Sequence, residues 1–62
     1  MNPEVLAATL ASSEANYTAL VSRAASLAGK PAEHDAWILV GAAHRITANL
    51  RLLLATSERR TT

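Results

Sequence analysis

The 62-residue sequence has no cysteine and no phenylalanine, and only two glycines, two prolines, one tryptophan and one tyrosine. Without cysteine there can be no disulfide staple and no thiolate metal site. Scarce glycine and proline, with 50% of the residues hydrophobic, argue against disorder and for uninterrupted helices. Charge is also sparse: 18% of residues carry one and the formal net charge is +1. That is too little charge of one sign for a surface that grips a phosphate backbone. The longest apolar run, Trp37 to Ala43, falls short of the roughly 18 residues of a membrane span. The start, Asn2-Pro3-Glu4, lacks the basic and apolar regions of a secretory leader. A soluble, cytoplasmic chain with no membrane association is therefore expected.

What the sequence has in quantity is alanine, 14 residues in all, and arginine outnumbers lysine five to one. The bias suits a bacterial or phage genome rich in G and C. Chains this short bury only about 60% of their unfolded surface, so without a staple they lean on a partner for stability.

Two helices and one turn account for the whole chain, giving one all-α domain over residues 1–62. Asn2 can cap free N–H groups, Pro3 suits the first helical position and Glu4 favours the positive end of the helix dipole. From there Leu6, Leu10, Tyr17, Leu20, Ala24 and Leu27 recur at alternating steps of four and three, with Ser13 in the one gap and Val5 and Val21 at the edges. This heptad-like seam predicts a helix over about 3–28. Gly29 can adopt the left-handed conformation that closes a helix, and Lys30-Pro31 restarts the chain. A second helix is expected over about 31–57, with residues 58–62 as a fraying tail. So short a turn forces the helices antiparallel.

The second helix carries two apolar stripes. Leu39, Ala43, Ile46, Leu50, Leu53 and Ser57, flanked by Val40 and Leu54, match the seam of the first helix. The expected hairpin core is thus Leu6, Leu10, Tyr17, Leu20, Leu27, Leu39, Ile46, Leu50 and Leu53. Nearly opposite run Trp37, Ile38, Gly41, His44, Ala48, Leu52 and Ala55. A helix that is apolar on two faces is normally buried on both, and the first helix covers only one. The second stripe is therefore the expected interface, and pairing of two hairpins into a four-helix bundle is the simplest way to cover it. Within it, Gly41, Ala48 and Ala55 repeat every seven residues and would admit a close helix. Trp37 is either an interface anchor or a cover for the open end of the core near the turn.

No constellation for chemistry emerges. His34 and His44 are ten residues apart and share no face, so the i, i+4 spacing of a helical zinc pair is missing. Ser12, Ser13, Ser22 and Ser26 have no histidine or lysine base at local spacing. No catalytic, metal or cofactor-binding residue is assigned, and the chain is expected not to be an enzyme. His44 on the second stripe would couple assembly to pH if it were buried there; a surface histidine at the edge is the plainer reading. Arg45, Arg51, Arg59 and Arg60 lie on different faces with no aromatic platform between them, as on a solvated polar face. The expected function is a non-catalytic protein-interaction module, a small regulator or assembly component whose expected partner is a second copy of itself, with another protein as the second candidate. The alternative is a nucleic-acid-binding hairpin dimer, which rests on an analogy of plan with small plasmid-encoded RNA-binding hairpins and on no shared motif.

Overall fold

The computed structural model describes residues 2–61, and it is an antiparallel hairpin of two helices, α1 (Pro3–Ser26) and α2 (Glu33–Thr61). The start of α1 is built as its residues dictate. Asn2 is extended, at φ −65° and ψ 128°, with Pro3 following it in the first turn. Its Oδ1 accepts the Glu4 N–H at 2.8 Å, and its carbonyl accepts the Leu6 N–H at 3.0 Å. The side chain thereby pairs one of the donors that a helix start leaves unsatisfied, the Glu4 N–H, and the Leu6 bond is the first of the regular helical pattern.

The connection is longer than the two residues expected, because α1 ends at Ser26 and α2 begins at Glu33. Leu27 closes α1 by donating its N–H to the carbonyls of Arg23 and Ala24. Gly29 follows at φ +80°, a conformation that costs other residues about 1–2 kcal/mol. Pro31 has no N–H and disfavours helical geometry at Lys30. The chain therefore makes a tight turn, with Glu33 N–H donating to the Lys30 carbonyl at 3.0 Å, before the α-helical pattern sets in with Ala36 N–H on Ala32. At the far end α2 runs on to Thr61, since nothing in Glu58-Arg59-Arg60 breaks a helix. Of the expected tail, Thr62 and the side chains of Arg60 and Thr61 lie outside the described residues.

The packed face of α1 consists of Leu6, Leu10, Ser13, Tyr17, Leu20, Ala24 and Leu27, all buried or half-buried. On α2 the packed face is Ala36, Val40, Ala43, Thr47, Leu50, Leu54 and Ser57. This corrects the expected core. Leu39, Ile46 and Leu53 are 54%, 57% and 53% exposed, and the helix is turned by about 50° from the orientation in which they face α1, counting 100° per residue.

Ser13 supplies the reason. Its hydroxyl lies in the middle of the seam and meets the Thr47 hydroxyl at 2.7 Å. Thr47, only 3% exposed, gives its single proton to the Ala43 carbonyl at 2.8 Å, so Ser13 is the donor in the pair. With Ile46 opposite, the Ser13 hydroxyl would have no cross-helix partner, and an unsatisfied polar group costs about 1–3 kcal/mol when buried. The small side chains of Ala24, Ala36 and Ala43 also let the helices close on that line. Ala24, Ala36 and Val40 are buried together, with Tyr17, Leu20, Val21 and Leu27 packed around them.

The result is a rod of 49 × 14 × 13 Å with a radius of gyration of 14.4 Å. A compact domain of this length would have a radius near 11 Å, by about 2.2·N^0.38. Its accessible surface is correspondingly large, at 4538 Å².

Candidate interaction surface

Seven large apolar side chains are exposed among the described residues, and all but Val5 belong to α2: Trp37, Ile38, Leu39, Ile46, Leu52 and Leu53. Helix α2 has more large aliphatic side chains than one line of contact with α1 can cover. Two contacts mark one edge of the pair. Arg51 donates to Glu14 at 2.9 Å, and the rings of Tyr17 and His44 lie 5.8 Å apart and tilted by 53°.

The expected interface residues lie on that edge and on the back of α2. Ile38 and Leu52 are 55% and 65% exposed. Gly41, His44 and Ala48 are exposed, whereas Ala55 is half-buried. At 100° per residue, Leu39, Ile46 and Leu53 fall on the opposite edge of α2, and Val5 falls on the same side of α1. The surface left over by the hairpin thus has a second apolar line that the sequence had placed in the core.

Gly41 has open space around it, with nothing within 4 Å of where a Cβ would stand. Glycine in a helix interior is about 1 kcal/mol worse than alanine. Gly41→Ala should therefore raise the melting temperature by about 4–8 °C, as expected for a domain of this size. A lower melting temperature in circular dichroism would place another helix against Gly41.

Trp37 is held rather than free. Its Nε1–H donates to Glu33 Oε2 at 3.1 Å, and the Gly29 N–H donates to Glu33 Oε1 at 3.1 Å. One carboxylate therefore ties the turn to the indole one helical turn along α2. The signal for this contact in the sequence is the i, i+4 spacing of Glu33 and Trp37. The Gly29 N–H first, and the Trp37 indole N–H second, hold the Glu33 carboxyl below its ordinary range. A carboxylate depressed in the folded state stabilises at pH above its unfolded value, and that stabilisation fades as pH falls through the folded value. The advantage of the wild type over Glu33→Gln should therefore be present at pH 7 and shrink below about pH 4, given an unfolded value near 4.3. Melts followed by Trp37 fluorescence at pH 7 and pH 3 test this. An unchanged difference between the two proteins would show that the ionised carboxylate is not the acceptor.

The other candidate groups do not converge. Among the described residues no three His, Asp or Glu side chains gather as metal ligands would. Ser26 donates to the Arg23 carbonyl and Ser13 to Thr47. Within the basic group, Arg51 is paired with Glu14, both side chains about half exposed. Such a pair contributes little to stability, about 0–1 kcal/mol.

Searches of protein-family models, curated proteins and solved structures found no match to this chain.

Helix α2 has one further property that its interrupted apolar runs concealed. Between Glu33 and Arg59 it is long and apolar enough to cross a membrane by length and composition, and little of that stretch is buried in the hairpin. The average is high because isoleucine, leucine and valine outweigh Arg45 and Arg51. Each arginine costs about 2.5–3.5 kcal/mol at the centre of a spanning helix.

Proposed function

We propose that this chain is a non-catalytic interaction module, a helical hairpin that self-associates as a small cytoplasmic regulator or assembly component of bacterial or phage origin. One observation carries the reading: six large apolar side chains of α2 lie in the open after α1 has packed against it. Apolar surface removed from water contributes about 25 cal/mol per Å², and a rod one helix pair thick has no interior left in which to hide it. A second hairpin laid alongside would bury that surface and make a four-helix bundle, the arrangement in which antiparallel helix pairs share one core. A further protein partner would use whatever apolar surface such a bundle leaves exposed.

Light scattering after size exclusion at micromolar concentration should give about twice the chain mass. Association that favours the folded state also makes the melting temperature rise with protein concentration. A folded monomer whose midpoint is independent of concentration would overturn the reading. The alternative, a nucleic-acid-binding hairpin dimer, requires a tight and salt-sensitive mobility shift with duplex DNA or structured RNA. Non-specific binders fall in the 10⁻⁴–10⁻⁶ M range, and no shift stronger than that is expected from arginines scattered over different faces, with Arg51 held by Glu14.

A further inference from the structure

Two apolar surfaces of α2 are open to a second copy of this chain. We infer that the second copy docks on the line Leu39–Ile46–Leu53, antiparallel, with Ile46 on the two-fold axis. This rests on the self-association proposed above and assigns it a surface and a register.

The spacing is self-complementary. Leu39 and Leu53 each lie seven residues from Ile46, so all three share one line along the helix. A two-fold interface uses the same patch on both copies, each residue meeting its symmetry counterpart. An antiparallel pair centred on Ile46 places Ile46 against the partner's Ile46 and Leu39 against the partner's Leu53. Ala42 and Asn49 fill the intervening positions of the line. Asn49 then lies in the seam near the partner's Ala42, and one polar residue in an apolar seam is how helix pairs specify register.

The competing surface is poorer for this purpose. The edge that bears Trp37 and His44 also bears the Glu14–Arg51 pair and the Glu33 carboxylate bonded to the indole. Arg45 follows on the back of the helix beside Ile38 and Leu52. Covering these groups would take charge out of water, and burying charges costs more than their attraction returns unless the geometry is very good. Along the Leu39–Leu53 line the α1 side contributes Thr9 and Asn16, which are uncharged, and among the described side chains of that edge charge enters at the turn end with Arg23 and Asp35.

Area supports a partner of this size. The hairpin exposes 4538 Å², about 700 Å² more than the roughly 3,800 Å² presented by a compact monomer of its 6.5 kDa mass. A standard interface buries about 800 Å² per partner. A net charge of +1 sets up little repulsion between two copies.

The test compares four proteins by light scattering, with helicity read by circular dichroism. Wild type, Leu52→Glu and Gly41→Leu should each show twice the chain mass. Ile46→Glu, altered at a side chain that is 57% exposed in the hairpin, should fall to one chain mass with helicity retained. Because the chain has no cysteine, register can be read independently of that variant. Under oxidised glutathione, Ile46→Cys should cross-link to itself. Leu39→Cys and Leu53→Cys should cross-link when mixed, and neither should do so alone. Self-cross-linking of Leu39→Cys would overturn the antiparallel register. Loss of the dimer in Leu52→Glu or Gly41→Leu, with Ile46→Glu still dimeric, would overturn the assigned face and leave self-association standing. A wild-type chain that is monomeric in buffer, or that is monomeric and floats with phosphatidylcholine vesicles, would overturn both proposals.

Discussion

Leu6→Ala should abolish most of the stability of the fold. Leu6 is 3% exposed and anchors the end of the hairpin opposite the turn. Truncating a buried leucine to alanine costs about 2–5 kcal/mol, the lost transfer energy plus the cavity left behind. A single core in a chain this short rarely supplies more than about 3–5 kcal/mol. The variant should therefore be substantially unfolded at 25 °C, or melt far below the wild type, in circular dichroism. Leu52→Ala removes the same atoms from a side chain that is 65% exposed, and should change stability by no more than about 0.5 kcal/mol. Equal effects of the two substitutions would show that burial at Leu6 does not hold the hairpin together.

Ala24→Leu should also destabilise, for the opposite steric reason. Ala24 is 0% exposed, and Ala36 and Val40 close over it between Tyr17, Leu20, Val21 and Leu27. Leucine and alanine differ little in helix propensity, so the outcome reports on space alone. Extra methyl and methylene groups in a closed seam cost about 1–3 kcal/mol, or about 4–8 °C of melting temperature for each kcal/mol. Ala19→Leu, on the exposed outer face of α1, is the matched control and should leave the melt nearly unchanged. A rise in melting temperature for Ala24→Leu would mean that the helices separate near the turn and accept the larger side chain.

Much of this fold was legible in the residues, and the parts that were not have identifiable causes. Asn2 and Pro3 marked where α1 starts, and Gly29 the turn beyond its end, because each suits a backbone geometry that few other residues favour. The packed face of α1 was equally plain: its large residues occupy one stripe, and the opposite face is mostly alanine and hydroxyl side chains. Helix α2 was different. Large aliphatic residues occur on nearly every side of it, so periodicity alone returned the stripe with the bulkiest members, Leu39, Ile46 and Leu53. The side chains that meet α1 are smaller on the whole, and two of them, Thr47 and Ser57, are polar. The signal that could have corrected the phase was Ser13, a hydroxyl in an apolar seam that requires a partner on the facing helix.

The same cause governs the candidate surface. That α2 has more apolar side chains than α1 can cover follows from composition and spacing. Which of them remain outside depends on the rotation of α2 about its own axis, and a turn of about 50° on a helix with 100° per residue exchanges neighbouring stripes. The sequence by itself therefore determined two helices, their antiparallel pairing and an unsatisfied apolar surplus, because capping residues and periodicity act locally along the chain. The tertiary structure alone decided that Val40, Thr47 and Leu54 go inside while Leu39, Ile46 and Leu53 stay out. That choice depends on the Ser13–Thr47 hydrogen bond and on the close fit of Ala24, Ala36 and Ala43, contacts that exist only once the two helices meet.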